Sequence, residues 1–395
     1  YDTTQPTPAQ PRRIEMTGPL TGVRVLDFCH VTAGPFGTMI LSDLGAEVIR
    51  VSRAEERAEV RVGGAPMLND IPATAFSIQR GKKSIQLDLK DPRGVEIALR
   101  LTEHVDVLTE NFSVGTMERL GLGYEAVSKR NPRIIYASCS GHGQTGPYAS
   151  RGALDVIVQA MSGLMSITGE SDGRPMRVGA SFGDSMSGMY LAMSVLAALF
   201  EREQSGMGQR AEIAMVECVM YHLEEAITGY SITGEIPTRI GPGRPRTLPF
   251  QPFETKDGGI AVAGVRDWQA FCIVIGRELL AEDPRFQRGP DRFAHRDELE
   301  PVLMEAFREK TSEEWLDALA DICVAGPVYN IAQAISDPQI TTHGGILELP
   351  VRGQEERRVL TPNVPIHLSR TAPKVERAGP WMGEHTREVL QDLLG

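Results

Sequence analysis

Residues 18–51 read GPLTGVRVLDFCHVTAGPFGTMILSDLGAEVIRV, and this stretch predicts the class of the fold. The apolar run Val23–Phe28 has the length and composition of a β-strand. A helix is predicted from about Gly37 to Leu44, with Gly45 as its stop, and Glu47–Ser52 is the next strand. A strand, a helix and a strand within about 30 residues are typical of a right-handed βαβ crossover on a parallel sheet.

The same alternation continues downstream. Further strands are predicted at Ser84–Leu89, Val105–Glu110, Ile134–Ser138 and Arg210–Ala214, and helices at Pro92–Leu101 and from Met117. Residues 185–203 (SMSGMYLAMSVLAALFERE) form the most apolar helix, which we expect to be buried centrally. The pattern predicts an α/β fold.

Composition shifts divide the chain. Residues 1–16 are rich in Pro, Gln and Thr and are predicted to form a flexible N-terminal arm. Pro and Gly cluster at 237–249, and a strand at 259–264 follows, with amphipathic helices at 267–278, 297–309 and 312–321. Residues 230–330 are therefore predicted to form a smaller, inserted α+β domain. A final helix is predicted at Thr386–Leu394.

The composition excludes several classes of protein. With 41% apolar and 24% charged residues among 395, the chain resembles a globular protein with a core rather than a disordered one. A formal net charge of −11 argues against a general nucleic-acid binder. No apolar run approaches the roughly 20 residues that cross a bilayer. Five scattered cysteines predict neither a disulfide framework nor a metal site, and they favour a cytoplasmic location.

The first predicted βα junction carries His30-Val31-Thr32-Ala33-Gly34-Pro35. Ligands of open α/β sheets bind outside the carboxyl ends of the strands, so this loop is a natural binding edge. It lacks the Gly-x-Gly-x-x-Gly pattern of a dinucleotide site. From the residues alone, His30 either contacts a ligand or only packs against its neighbours.

Cationic side chains recur near the ends of predicted strands. They are Arg50, Arg53, Lys82, Lys83, Lys90 and Arg119. If they gather at one edge of the sheet, they could bind a polyphosphate, and otherwise they form an ordinary solvated face.

Asp184 stands directly before the apolar helix, in the sequence Ser181-Phe182-Gly183-Asp184-Ser185. Its position suits an ordinary N-cap residue. A partly desolvated carboxylate at this place also suits a nucleophile. Asp155 occupies a similar junction and is a candidate second acid or base. The eight histidines are dispersed, and no metal site is predicted.

Many ordered segments of the chain resemble the class III CoA-transferase family, which contains formyl-CoA transferase, carnitine CoA-transferase and α-methylacyl-CoA racemase. Besides residues 18–51, the matching segments are KKSIQLDLKDPRG, ENFSVGTMERLGLGYE, NPRIIYASCSGHGQTGPY, QAMSGLMSITGE, GDSMSGMYLAMSVLAALFERE, SGMGQR, AGPVYNIAQAISDPQ and GEHTREVL. They run collinearly through residues 18–395, which makes the resemblance specific.

The resemblance implies a large Rossmann-like, CoA-binding domain formed by both ends of the chain. Residues 17–225 are its N-terminal part, residues 230–330 form the small domain, and residues 331–395 return to the large domain. It further implies an interlocked homodimer, in which two ring-shaped subunits thread each other.

The resemblance also implies an activity. The chain is expected to move CoA from an acyl-CoA, with succinyl-CoA as a donor, to a small carboxylic or dicarboxylic acid. The family's nucleophile falls on Asp184, which would form an aspartyl-CoA thioester. CoA is expected as a substrate, with no tightly bound cofactor, no metal, and neither nucleic acid nor membrane as a partner. The family's CoA-binding positions fall on His30, Val31, Thr32, Ala33, Arg53, Leu87, Lys90, Asn111, Phe112 and Arg119.

Three departures narrow this expectation. Formyl-CoA transferase has Gln where this chain has Thr32, and a tetraglycine loop where this chain has residues 240–244 (IGPGR), which disfavours oxalate as the acceptor. The racemase branch has a catalytic His where this chain has Leu154, which disfavours a two-base proton shuttle. Arg244 or Arg246 is a candidate partner for a second substrate carboxylate. An acyl-CoA C2 racemase and a non-catalytic CoA-binding protein remain the alternatives.

Overall fold

The computed structural model describes residues 18–53, 66–68, 71–351, 354–375 and 377–395. The predicted arm at residues 1–16 lies outside them. The chain divides into two compact units. The first takes in residues up to 158 together with 181–219 and 345–395, and the second takes in residues 159–180 and 220–344.

The described residues form thirteen strands. These are β1 (Arg24–Asp27), β2 (Glu47–Arg53), β3 (Met67–Leu68), β4 (Ile71–Pro72), β5 (Lys83–Leu87), β6 (Val107–Glu110), β7 (Ile135–Ser140), β8 (Arg210–Ala214), β9 (Gln251–Glu254), β10 (Gly259–Ala263), β11 (Val324–Pro327), β12 (Ile346–Val351) and β13 (Gln354–Pro362).

Eighteen α-helices and one 3₁₀ turn (Pro284–Phe286) lie in the described part of the chain. The helices are α1 (Ala33–Asp43), α2 (Ala73–Ser77), α3 (Pro92–Thr102), α4 (Thr116–Arg119), α5 (Tyr124–Arg130), α6 (Asp155–Met161), α7 (Leu164–Ile167), α8 (Phe182–Ser205), α9 (Met215–Tyr221), α10 (Glu224–Thr233), α11 (Trp268–Val274), α12 (Leu279–Glu282), α13 (Gly289–Ala294), α14 (Arg296–Phe307), α15 (Ser312–Leu319), α16 (Ile331–Ser336), α17 (Pro338–Thr342) and α18 (Thr386–Leu394).

The first unit contains a six-stranded sheet in the order β5-β2-β1-β6-β7-β8, and every neighbouring pair of its strands is parallel. The expected α/β fold with a parallel sheet is thus confirmed. The chain first builds outward from β1 through β2 to β5, and then resumes on the other side of β1 with β6. The strand order therefore reverses between β1 and β6, and ligands of open α/β sheets bind at such a reversal.

The start of the first helix differs from the prediction. We expected it at Gly37, but α1 begins at Ala33, one turn earlier, and contains Pro35 as its third residue. Proline is tolerated there because the first N–H groups of a helix have no intrahelical acceptor. The Gly-Pro pair therefore belongs to the helix and not to the loop before it.

The central helix α8 lies against α1 at two glycines. A Cβ atom added to Gly188 would lie 2.5 Å from the carbonyl oxygen of Ala33 and 2.8 Å from the backbone nitrogen of Gly37. One added to Gly37 would lie 2.6 Å from the carbonyl oxygen of Gly188. The absence of side chains at both positions lets the two helix backbones touch. This confirms the prediction of a long, central helix over residues 185–203.

The second unit contains a three-stranded antiparallel sheet in the order β11-β10-β9. Its core includes Phe271, Phe307 and Trp315, each at most 1% exposed. The predicted strand at 259–264 and the three amphipathic helices correspond to β10, α11, α14 and α15.

No helix within the described ranges combines the length and the apolar composition that crossing a bilayer requires.

Candidate active site

Four consecutive strands of the parallel sheet present candidate CoA-binding residues at their carboxyl ends. The strands are β5, β2, β1 and β6, and parallel strands end at the same edge of a sheet. The residues are Leu87 and Lys90 at and after β5, Arg53 at the end of β2, His30, Val31, Thr32 and Ala33 after β1, and Asn111, Phe112 and Arg119 after β6. The topology thus collects all ten positions at one edge, around the reversal between β1 and β6.

His30 and Asn111 join the loops that follow β1 and β6. The His30 N–H donates to the Asn111 side-chain oxygen at 2.8 Å, and the Asn111 amide nitrogen donates to the His30 carbonyl oxygen at 2.8 Å. The rings of His30 and Phe112 lie 4.9 Å apart between centroids. Asn111 therefore binds the backbone of His30, and the His30 imidazole packs against the Phe112 ring at a tilt of 36°.

The backbone of Val31 has a φ of 64°. This left-handed conformation is unfavourable for a β-branched residue. The side chain is 49% exposed, so burial of the side chain does not explain the conformation. Val31 and Thr32 enter α1, and the Thr32 side chain makes no capping hydrogen bond. The strained loop thus presents an exposed apolar side chain and a hydroxyl at the start of a helix.

The neighbouring positions on β2 and β5 are in register. Arg53 pairs with Leu87, and the Gln86 side chain donates to the Arg53 carbonyl oxygen at 3.1 Å. Arg53 is exposed and Leu87 is buried. A buried apolar residue and an exposed cation thus lie side by side at this edge of the sheet.

Lys90 and Arg119 are both exposed in the segments that follow β5 and β6. The guanidinium of Arg119 donates to the Thr116 hydroxyl at 2.9 Å, within the single turn of α4.

Three other cations are not at this edge. Arg50 lies inside β2, and Lys82 and Lys83 lie at the amino end of β5. Lys82 is buried against Asp27, and Lys83 is within 2.8 Å of both Glu47 and Glu388. Of the two alternatives left open by the sequence, gathering at this edge therefore applies to Arg53, Lys90 and Arg119 only, because Arg50 lies within β2 and Lys82 and Lys83 lie at the opposite end of β5.

Asp184 is the third residue of α8 and is half-buried. The N-cap is Ser181, so the interpretation of Asp184 as the N-cap was wrong. Burial, followed by the negative charge of Asp155, raises the pKa of Asp184 to about 6. Within the described residues, no hydrogen bond reaches its carboxylate. A carboxylate that is poorly solvated and carries no donor keeps its electron pairs available for attack.

Asp155, which lies in another segment of the chain, accepts hydrogen bonds from backbone N–H groups at the start of α8. Its carboxylate accepts from the N–H of Gly183 at 2.8 Å and from the N–H of Asp184 at 3.4 Å. The Ser181 side chain makes no such bond, so Asp155 takes over the role of the N-cap side chain. Two carboxylates therefore share one helix N-terminus, which is favourable for negative charge.

The crossing of α1 and α8 brings Asp184 towards the loop that follows β1. Gly188 follows Asp184 by one helical turn, about 6 Å along the axis. It contacts Ala33 and Gly37 in the first turns of α1. The candidate nucleophile and the candidate CoA loop are thus neighbours within one unit of the chain.

Three further residues considered in the sequence analysis lie outside this edge of the sheet. Arg244 and Arg246, proposed from the sequence as partners of a substrate carboxylate, lie 3.1 Å and 3.9 Å from carboxylate oxygens of Glu225 and Glu235. Leu154, at the position of the racemase histidine, is 65% exposed.

Two short glycine patterns are not functional signatures here. Residues 179–183 (GASFG) match the Gly-x-Ser-x-Gly of hydrolases, but no strand precedes them, as a nucleophile elbow would require. Residues 141–146 (GHGQTG) match the dinucleotide pattern and follow β7, but the next helix begins only at Asp155. Among the described residues, no group of three or more His, Cys, Asp or Glu side chains could hold a metal ion.

Comparisons with known proteins place the chain in a family. The model of CoA-transferase family III matches residues 20–386. An acetyl-CoA:oxalate CoA-transferase from Acetobacter aceti is 38% identical over 95% of this chain and 94% of its own length. A succinate–glutarate CoA-transferase from Agrobacterium fabrum is 35% identical over 95% of this chain and 96% of its own length. The crystal structure of a CaiB/BaiF family protein from Brucella suis superposes with a TM-score of 0.86 at 31% identity, covering 95% of this chain and all of that one. The chain belongs to CoA-transferase family III and is a CoA-transferase.

Proposed function

We propose that this enzyme transfers CoA from an acyl-CoA, with succinyl-CoA as a donor, to a small dicarboxylic acid, and that Asp184 is its covalent nucleophile. The observation that carries the assignment is the state of Asp184. Its carboxylate is half-buried, has a pKa of about 6, receives no hydrogen bond from the described residues, and lies one turn from the contact with α1. At neutral pH it is ionised and poorly solvated, as a carboxylate nucleophile must be.

The transfer proceeds in four steps. The Asp184 carboxylate attacks the thioester carbonyl of the donor, which gives an acyl-aspartyl anhydride and CoA thiolate. The thiolate attacks the aspartyl carbonyl, which gives an aspartyl-CoA thioester and the free donor acid. The acceptor carboxylate attacks that thioester, which gives a new anhydride and again the thiolate. The thiolate then attacks the acceptor's acyl carbonyl, which releases the new acyl-CoA and restores Asp184.

The edge formed by β5, β2, β1 and β6 holds CoA in this proposal. Arg53, Lys90 and Arg119 are exposed cations suited to the phosphates. Leu87 is buried in the core beside Arg53 and contributes through packing beneath this edge, and the loop from His30 to Ala33 leads towards Asp184. Asn111 and Phe112 hold that loop from the side of β6.

The choice of a dicarboxylic acceptor rests on the relatives. One is named for oxalate and another for succinate and glutarate. Thr32 and residues 240–244 depart from formyl-CoA transferase, which still disfavours oxalate for this chain. A longer dicarboxylate is therefore the proposed acceptor class.

The experiment that tests the function is intact-protein mass spectrometry after brief incubation with a panel of acyl-CoA thioesters. Wild type should gain a CoA-sized adduct, which maps to the peptide containing Asp184 and is removed by hydroxylamine. Asp184→Asn should gain none. Asp297→Asn is the matched control, because Asp297 also lies in the first turn of a helix but its side chain is 96% exposed.

The alternatives give different results. A racemase would exchange the C2 proton of an acyl-CoA without any adduct, and a non-catalytic protein would bind CoA with neither adduct nor turnover. An adduct that persists in Asp184→Asn would contradict the assignment of the nucleophile.

We further propose that the enzyme is an interlocked homodimer in the cytoplasm. Besides the family resemblance, the helix α10 supports the dimer, since none of its residues is buried although it carries Ile227, Tyr230 and Ile232. The five cysteines are free and buried, which is compatible with a reducing compartment.

A further inference from the structure

Directly below the loop that follows β1 lies a group of four buried polar side chains. They are Asp27, Thr38, Lys82 and Thr109, each at most 2% exposed, and we call them the buried polar cluster. Lys82 Nζ lies 3.3 Å from Asp27 Oδ2, so the cluster contains an ion pair with both side chains fully buried. Burying two charges is costly, and an apolar pair of the same size would often give an equally stable core. The burial of this ion pair is therefore better explained by a functional role than by stability alone.

Every charged atom of the cluster has partners. Besides Asp27, Lys82 Nζ donates to the Thr38 hydroxyl at 2.8 Å and to the Pro35 carbonyl oxygen at 3.1 Å. Asp27 accepts from the hydroxyls of Thr38 at 2.7 Å and Thr109 at 3.0 Å. It also accepts from the Cys29 N–H at 2.9 Å. Such full satisfaction makes the arrangement rigid.

These bonds hold both ends of the candidate CoA loop. Cys29 directly precedes His30, and Pro35 and Thr38 lie in the first two turns of α1. The segment between them contains Val31 in its left-handed conformation, which is unfavourable for a β-branched residue and persists only when its surroundings impose it. The buried polar cluster fixes the two ends of this segment, and Asn111 fixes its His30 backbone from the side of β6.

We propose that Asp27 and Lys82 are positioning residues for CoA binding, holding the loop from His30 to Ala33 in its strained conformation before the acyl-CoA arrives. The proposal rests on the proposed use of this loop for CoA. Neither side chain touches the substrate, because both are buried beneath the loop. Their removal is therefore expected to raise the KM for the acyl-CoA much more than it lowers kcat.

The matched control is a second buried ion pair. Arg80 Nη2 lies 2.5 Å from Asp43 Oδ2, and both residues are 2% exposed. Asp43 is the last residue of α1, whereas the buried polar cluster lies at the first turns of the same helix. The double variants Asp27→Asn/Lys82→Met and Asp43→Asn/Arg80→Met each remove both charges of one pair. If the buried pairs only stabilise the fold, the two double variants should change the KM for the acyl-CoA to the same extent.

The experiment measures the KM for the acyl-CoA, kcat and the dissociation constant of CoA well below the melting temperature of each variant. Asp27→Asn/Lys82→Met should raise KM and the dissociation constant about 10-fold or more, with kcat within about 3-fold of wild type. The control double variant should leave KM within about 2-fold of wild type, since no part of the loop loses a partner.

Substitutions at Thr38 provide a second test, which does not require that a variant lacking the buried charges folds. Thr38→Val keeps the shape of the side chain and removes the hydroxyl that joins Asp27 to Lys82, so KM should rise about 3- to 10-fold. Thr38→Ser keeps the hydroxyl and should restore the KM of wild type. An unchanged KM in Thr38→Val, or an equal rise in the control double variant, would overturn the positioning role.

The two proposals fail in different ways. If wild type neither binds CoA nor reacts with any CoA thioester, the proposed function fails and the positioning role fails with it. If wild type binds CoA and the cluster variants bind it equally well, only the positioning role fails.

Discussion

At the scale of single residues, the site depends on two carboxylates with different tasks. Asp155 accepts hydrogen bonds from the backbone at the start of α8, whereas the Asp184 carboxylate receives none from the described residues. Burial and Asp155 together raise the pKa of Asp184 from 3.8 to about 6. Because the unfolded chain loses this proton first, the shift lowers the free energy of unfolding as the pH rises from about 4 to 6. The burial that raises the pKa of the candidate nucleophile therefore lowers the stability of the folded chain above pH 4.

We expect the rate of adduct formation to follow the ionisation of Asp184. Only the carboxylate attacks, so the rate should rise with pH through a midpoint near 6 and level off above it. Asp155→Asn keeps an oxygen for the Gly183 N–H but removes the neighbouring charge, so the midpoint should move to lower pH. Rapid-quench mass spectrometry of the CoA adduct, with samples stopped at short times across pH 4.5–8, would measure both profiles.

The profile of Asp297→Asn should coincide with that of wild type. A midpoint that does not move in Asp155→Asn would contradict the assigned origin of the shift.

The sequence predicts the identity of the candidate nucleophile better than its setting. The resemblance selects Asp184 from its motif, but the partnership with Asp155 joins residues 29 positions apart, which no local pattern reveals. The conformation of Val31 was likewise hidden, since a valine in the sequence predicts extended backbone. Lys82 looked like a strand-end cation because its buried partner, Asp27, is distant in the chain.

At the scale of secondary structure, the crossing of α1 and α8 positions the site. Gly37 and Gly188 let the two backbones touch, and each glycine lies within about one turn of a candidate functional residue. A side chain at either glycine would separate the helices. The distance between Asp184 and the loop after β1 would increase in consequence.

We expect Gly188→Ala to destabilise the enzyme by about 1–3 kcal/mol, because its Cβ would clash with backbone atoms of Ala33 and Gly37. Turnover should fall as well, since the nucleophile would shift away from bound thioester. Gly289→Ala is the control, as Gly289 lies in α13 and its added Cβ would meet Arg292 Nη2 at 3.9 Å, an ordinary van der Waals distance. Chemical denaturation and steady-state kinetics would measure both variants.

The control should be neutral or more stable by up to about 1 kcal/mol, as alanine favours a helix. If Gly188→Ala is as stable and as active as the control, the close contact between the helices does not position the site.

The periodic patterns predicted these elements well and their ends less well. The apolar composition of residues 185–203 predicts α8, which the structure extends to Phe182–Ser205. The same kind of pattern placed the start of α1 at Gly37, because Gly34 and Pro35 normally signal a loop. Their place in the first turn depends on the helix entry at Thr32, which only the assembled sheet determines.

At the scale of the whole molecule, the alternation of strands and helices along the chain predicts only part of the strand order in the sheet. The repeated strand–helix pattern predicts a parallel sheet, but it does not reveal that β6 returns to the side of β1 opposite β2. Ligands of open α/β sheets bind at such a reversal, and the ten candidate CoA-binding positions follow the strands on either side of it. The family resemblance selected all ten positions, and the placement of cations at predicted strand ends had already indicated Arg53, Lys90 and Arg119.

The proposed interlocking of two subunits makes an unusual prediction about exchange. Tagged and untagged dimers, mixed at nanomolar concentration, should form no mixed dimer for as long as both remain folded, because linked chains cannot separate without unfolding. Mixed dimers should appear only after denaturation and refolding. Native mass spectrometry over several days would follow the exchange.

The nanomolar concentration distinguishes the two kinds of dimer, since an ordinary dimer would dissociate on dilution and exchange its subunits. Mixed dimers formed under native conditions would exclude interlocking, and a monomer at micromolar concentration would exclude the dimer itself.

The burial of all five cysteines makes the chain its own reporter of local opening. Cys29, Cys139 and Cys218 lie in the first unit, and Cys272 and Cys323 lie in the second. Each thiol is at most 8% exposed, so an alkylating reagent reaches it only when the surrounding structure opens. Peptide-resolved labelling under increasing denaturant would therefore separate the melting of the first unit, which contains the candidate CoA-binding edge, from the melting of the second unit, without any introduced probe.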